Sequence, residues 1–296
     1  MKRVDLADLD VFVAVARARS FRGAATRRGA SPSALSEALR RLEADLGVRL
    51  LNRTTRSVTP TEAGRILLER LGPALDDVAL ALDAVNAVRD SPAGTLRLNV
   101  PVVVARLVLP EIVPRFLERY PAITLSVTSD NRFVDVLSEG FDAGVRYGER
   151  LAQDMVAVPI GPRQQRFVTA AAPDYLARRG RPLHPRELER HTLLSHVFES
   201  GAMPAWEFEK DGVVERVAAP GPLATSEIDL KLAAARAGLG ILHSFEGFLA
   251  PALGAGALVA ILEDWSQPFA GPFLYFPSRR HMPAPLRAFV DFLKEK

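Results

Sequence analysis

Ser31, Ser33, Ser36 and Arg40 follow one another at intervals of two, three and four residues near the start of the chain. On a helix advancing about 100° per residue, Ser33, Ser36 and Arg40 share an arc of about 60°. Two hydroxyls and a guanidinium on one face can reach phosphates and base edges in the major groove of a duplex. A helix that merely turns its polar residues to water would show the same pattern. Further on, Arg53, Thr55 and Arg56 lie in the polar stretch Asn52–Arg56. A tight turn carrying two arginines can grip phosphate or enter a minor groove.

Positioning these groups requires several local elements. Leu6, Leu9, Phe12, Val13 and Ala16 recur at helical spacing, predicting a helix over 5–18, and a shorter one fits Arg22–Arg28. Ser31 is placed to cap a third helix, with Pro32 at its first position, where the missing N–H is harmless. Leu35, Leu39, Leu42 and Leu46 give that helix its buried stripe, and Gly47 stops it. Val48–Leu51 and Ser57–Val58 then read as short strands flanking the arginine turn. The first sixty residues therefore read as a winged helix-turn-helix.

Charge is distributed accordingly. Residues 1–60 hold 12 Lys/Arg against 6 Asp/Glu, residues 61–90 hold 3 against 6, and residues 91–296 hold 23 against 23. The surplus positive charge lies wholly in the head. That is the footprint of a nucleic-acid-binding module, although a solvated basic face gives the same count.

Other chemistries lack their residues. With no cysteine among 296 residues, disulfides, thiol nucleophiles and Cys-based zinc sites are excluded, which suits a reducing cytoplasm. His184, His191, His196, His243 and His281 show no metal-binding spacing, and no nucleophile elbow, phosphate loop or dinucleotide fingerprint occurs. No catalytic residue, metal or cofactor is expected. Gly247–Leu262, the longest uncharged run, is broken by Pro251, Gly254 and Gly256 and falls short of a membrane span.

Phe21-Arg22-Gly23-Ala24-Ala25, Ser31-Pro32-Ser33-Ala34-Leu35-Ser36, Leu42-Glu43-Ala44-Asp45-Leu46-Gly47, Leu50-Leu51-Asn52-Arg53-Thr54-Thr55-Arg56 and Thr59-Pro60-Thr61-Glu62-Ala63-Gly64 form an ordered motif series. Through it the chain resembles the LysR-type transcriptional regulators, and the likeness extends along its whole length. Many members carry Gln where this chain has Pro32 and Arg where it has Glu37, so a side chain suited to bidentate adenine contact is missing.

After the head, Thr59 is the expected N-cap of a linker helix over 61–91, with Pro60 and Glu62 completing a capping box. Leu68, Leu71, Leu75, Val78, Leu82 and Val85 alternate spacings of three and four, a seam for another helix or for the chain's own body. Gly72-Pro73 should kink it. The resemblance implies a homodimer through helix 61–90, an assembly up to a homotetramer, double-stranded DNA carrying an interrupted inverted repeat, contact with RNA polymerase and no membrane partner.

The body, 92–296, alternates strand-like and helix-like runs, predicting an α/β fold with largely parallel sheets. The resemblance implies a periplasmic-binding-protein-like effector domain of type 2. Its two subdomains would span 92–163 with 267–296, and 164–266. A small-molecule effector, acidic or partly apolar, would lie between them. Expected lining residues are Pro101, Val102 and Val103 after the first strand, Arg146, Phe198, Thr225 and Ser226. Arg146 could instead pair with Asp142 or Glu149, and Thr225-Ser226 could simply cap a helix. His243 and Ser244 read as core.

Overall fold

The structure, a computed structural model, describes residues 4–53, 58–86, 92–131, 140–148, 155–277 and 282–295. Thr55, Arg56, Ser57, Glu149, His281 and the run 133–139, which continues the alternation of the body in sequence, lie outside them.

The head consists of α1 (Leu6–Ala18), α2 (Phe21–Arg28), α3 (Pro32–Leu46) and the antiparallel pair β1 (Leu51–Arg53) and β2 (Val58–Pro60). Each helix begins on a side-chain cap: Asp5 accepts from Ala7 N at 2.9 Å, Ser20 from Gly23 N at 3.2 Å and Ser31 from Ala34 N at 3.1 Å. Gly29 and Gly47, both at positive φ, end α2 and α3. Phe12, Leu35, Leu39 and Leu42 are buried where the three helices meet. Leu46 departs from the expected stripe: in the last turn of α3 it projects beyond the core and is exposed.

The linker helix, α4 (Glu62–Asn86), starts later than its sequence motif suggests. Thr59 and Pro60 pair with Asn52 and Leu51 in β2, so the backbone stays extended through residue 60. Thr61 caps the helix instead, accepting from Gly64 N at 3.0 Å and donating to Arg49 O at 2.7 Å. Pro73 lies inside α4 without ending it. Leu68, Leu71 and Leu75 pack against the head core, whereas Val78 is exposed. The first half of the expected seam is thus covered by the chain's own head.

Two sheets form the body. The first runs, by strand, 123–129, 94–100, 143–146, 273–277, 155–159; the second runs 223–225, 193–196, 241–245, 164–171, 259–261. Pairings among the first three strands of each are parallel, and the remainder are antiparallel. The sheets are mixed rather than largely parallel because the chain enters each from the other. It leaves the first sheet after Pro159, enters the second at Gln164 and returns to the first at Phe273. Pro268–Ala270 pairs antiparallel with Gln164–Arg166, so the two crossings run side by side.

Phe116, Phe289 and Phe292 pack edge to face in the first core, with centroids 4.9 and 5.6 Å from that of Phe116. In the second half, the hairpin Trp206–Lys210/Val213–Val217 buries Trp206 and Phe208 with Tyr175 and Trp265. The helix Ile228–Arg236 packs on the opposite sheet face, over Leu194 and Leu242. Among the described residues no helix is long and apolar enough to cross a membrane.

Candidate nucleic-acid interface and ligand cleft

On the head, Ser31, Pro32, Ser33 and Arg40 are exposed and Ser36 is half-buried, so one end and face of α3 lies open. Ser31 Oγ caps the helix and lies 3.0 Å from Ser33 Oγ. Arg40 lies 3.5 Å from Glu37, an exposed pair that a phosphate could displace. Arg41 is turned away from this face: it donates to Asp8 at 2.8 and 3.2 Å, tying α3 to α1 through a carboxylate that is buried.

Arg53 is engaged differently from the expectation of a free DNA contact. It donates to Glu43 at 2.8 Å, reaches toward Ser36 Oγ at 3.5 Å and lies over the Phe21 ring at 5.2 Å. Glu43 Oε1 meanwhile accepts from Leu50 N at 2.9 Å and Leu51 N at 3.2 Å. This carboxylate clamps the first wing strand to α3, and Arg53 completes the clamp. Sequence reasoning missed Glu43, whose partners are backbone groups seven and eight residues away.

In the body, a recess of about 120 Å³ opens between the two sheets. Val102, Arg106 and Asn131 line it from one side; Val197, Phe198, Glu199, Ser226, Glu227 and Ile228 line it from the other. Of the expected contacts, Val102, Phe198 and Ser226 meet here. Pro101 and Val103 are buried beside it, and Thr225 Oγ1 accepts from Glu227 N at 3.0 Å, fixing the turn into the helix. The Val102 N–H donates to Asn131 Oδ1 at 3.1 Å. Arg106 spans the recess and donates to both oxygens of Asp229 at 2.9 and 3.0 Å. Arg146 is buried outside this lining, donating to Asn99 Oδ1 at 2.7 Å and to Val145 O at 2.6 Å.

Comparison with known proteins agrees with both halves. Residues 6–65 match the bacterial regulatory helix-turn-helix protein, lysR family, and residues 89–296 match the LysR substrate binding domain. The chain belongs to the LysR-type transcriptional regulators. It is 40% identical over 292 residues, 99% of this chain and 95% of the other, to the uncharacterized HTH-type transcriptional regulator YcaN of Escherichia coli K12. To the HTH-type transcriptional regulator PgrR of the same organism it is 38% identical, covering 100% and 99%. Among solved structures, the full-length Vibrio cholerae virulence activator AphB, a member of the same family, superposes with a TM-score of 0.66 at 26% identity, covering 99% of each chain.

The regulator thus joins a DNA-binding head to an effector domain, and two polar features of that domain escape a sequence reading. Tyr147 OH and Gln165 Oε1 are buried near one another, and neither makes a hydrogen bond of ordinary geometry to any described residue. Burial holds the Tyr147 phenol well above its usual range. Tyr147→Phe removes a desolvated hydroxyl without emptying the site, so we expect a gain of up to about 1 kcal/mol in a urea melt. A loss of similar size would mean that the hydroxyl is satisfied in solution.

The second feature is Lys231, only 3% exposed. Its spacing of three from Ile228 and four from Ala235 puts it on the buried stripe of its helix, a signal available in sequence but hidden by the habit of placing lysine outside. Burial pushes its ammonium down to about 8. His243, as expected of a core residue, stacks between Phe167 and Trp206 and lies 2.8 Å from Thr169 Oγ1. Burial, and secondarily Lys231, depress its pKa to about 3, so it is neutral near pH 7.

Proposed function

We propose that this regulator is a cytoplasmic, sequence-specific DNA-binding protein that transmits ligand occupancy of its cleft to paired heads. The observation that carries the reading is the open face of α3, where Ser31, Pro32, Ser33, Ser36 and Arg40 are presented together on a clamped three-helix core. These residues enter the major groove; Arg53 holds the wing, and Thr55 and Arg56, outside the described residues, are assigned from sequence to meet phosphate or the minor groove. We assign 1–60 to the head, 61–91 to the linker and 92–296 to the effector domain, with subdomains 92–163 plus 267–296 and 164–266. The paired segments Gln164–Arg166 and Pro268–Ala270 form the double crossing between them.

Pairing through the linker helix, with further association to a tetramer, sets two heads on an interrupted inverted repeat. A ligand that prefers one separation of the cleft walls biases the arrangement of the heads and their access to RNA polymerase. The Arg106–Asp229 ion pair across the recess supports a cleft that opens and closes, since an exposed pair contributes under about 1 kcal/mol and yields to a ligand. A body serving no regulated reaction of its own agrees with the family, which is one of transcriptional regulators.

The test is fluorescence anisotropy with the DNA immediately upstream of the regulator's own gene, against random DNA of equal length, across a salt series. Specific binding to the upstream segment is expected, with log K falling by roughly 0.9 per phosphate neutralised against log salt. Arg40→Ala should weaken the specific complex about tenfold and narrow its margin over random DNA. Equal binding to both duplexes by the unmodified protein, with Arg40→Ala unchanged, would leave the head as an assembly module.

A further inference from the structure

Resting on the cleft reading above, we infer that Lys231, His196 and Ser244 form an anion subsite that receives the carboxylate of an apolar monocarboxylate effector. The placement follows from alternation along two parallel strands. Leu193–His196 and Ile241–Phe245 are paired in register, Ile241 with Leu193 and Leu242 with Leu194. Leu194 and Leu242 face the helix Ile228–Arg236 and share a core with its Ile228 and Ala235. His196 and Ser244, each two residues further along, lie on that same sheet face beneath the same helix. Lys231 is the buried residue of the helix between Ile228 and Ala235, and its charge acts on His196.

Lys231 has no hydrogen bond or ion pair from its ammonium to any described residue, although it is 97% removed from solvent. Ser244 is also buried. A buried cation on the same sheet face as a hydroxyl and an imidazole supplies charge and donors for one carboxylate.

Two residues that line the recess adjoin this group in sequence. Ile228 lines it and precedes Lys231 by one helical turn; Phe198 lines it and meets the His196 ring edge to face at 4.8 Å. Phe198 is 40% exposed. An apolar body held against Val102, Phe198 and Ile228 would point its carboxylate at Lys231. Glu199 and Glu227 at the rim repel a second negative charge, so polyanions such as inorganic phosphate are disfavoured.

The experiment is a thermal-shift titration of the full chain at pH 7 with sodium benzoate, ionic strength held constant with NaCl, and inorganic phosphate as the contrasting anion. Benzoate should raise the Tm saturably and phosphate should not. Lys231→Met should raise the benzoate concentration for half-maximal shift at least tenfold, and Ser244→Ala by a few-fold. Circular dichroism establishes that each variant is folded. Equal benzoate response in wild type and Lys231→Met would overturn the subsite while leaving a ligand cleft in place. Absence of any saturable benzoate shift in the wild type would overturn it too. If neutral and cationic compounds also fail to shift the Tm, the cleft reading falls separately.

Discussion

Glu43→Ala is expected to destabilise the DNA-binding head by about 3 kcal/mol and to abolish specific DNA binding, while the melting of the effector domain stays where it was. The size follows from what the carboxylate holds. Its side chain is 14% exposed, and it accepts from two backbone N–H groups at the start of the wing and from Arg53. Leu50 and Leu51 are themselves buried, so alanine would leave their N–H groups with no acceptor and little water. Each such orphan costs about 1–3 kcal/mol, and the freed guanidinium loses its place over Phe21. Glu43→Gln keeps one acceptor oxygen and should lose about half as much. Two resolved transitions in calorimetry would show the head moving alone. A head transition within a degree of wild type would remove the clamp from the account.

Glu43 also marks where sequence reading reaches its limit. The capping of α3 by Ser31 and its termination at Gly47 were legible because the partners lie within three or four residues along one helix. The clamp was not, since nothing in the order of residues says that a glutamate in α3 meets the backbone of the next strand. The same limit moved the cap of α4 from Thr59 to Thr61: pairing between β1 and β2 outweighed a well-formed local capping motif. Heptad spacing marked a seam in α4 but not its partner, which for Leu68, Leu71 and Leu75 is the chain's own head, while Val78 stands exposed.

In the effector domain, alternation predicted an α/β body with strands in both halves. The sequence pattern could not show that 164–171 and 273–277 run against their neighbours, because direction is set by the two crossings and not by any local residue. Valines after the first strand suggested an apolar wall, and Val102 is in the recess. Arg146, chosen for its charge at a strand end, is instead bound within the core to Asn99, while the cation that crosses the recess is Arg106.

Lys231→Met should stabilise the effector domain by about 3 kcal/mol at pH 7, a direction opposite to that of most buried substitutions. The lysine's pKa falls from 10.5 in the unfolded chain to about 8 in the fold, because burial disfavours the ammonium. Below pH 8 the folded protein holds a desolvated cation and carries the whole penalty. Between pH 8 and 10.5 the unfolded chain binds more protons than the fold, so wild-type stability rises with pH. Above 10.5 both states are neutral and the penalty is gone. The advantage of methionine should therefore be largest at pH 7 and shrink steadily toward pH 10.5, as read by urea denaturation at three pH values. His196 and His243, each pressed downward in part by Lys231, are neutral in the fold throughout that window and do not reverse the trend. A pH-independent difference, or a variant less stable at pH 7, would refute the buried ammonium. A cation kept in the core against stability is explained by a ligand that neutralises it, and saturating benzoate should reduce the difference between wild type and Lys231→Met by stabilising only the former.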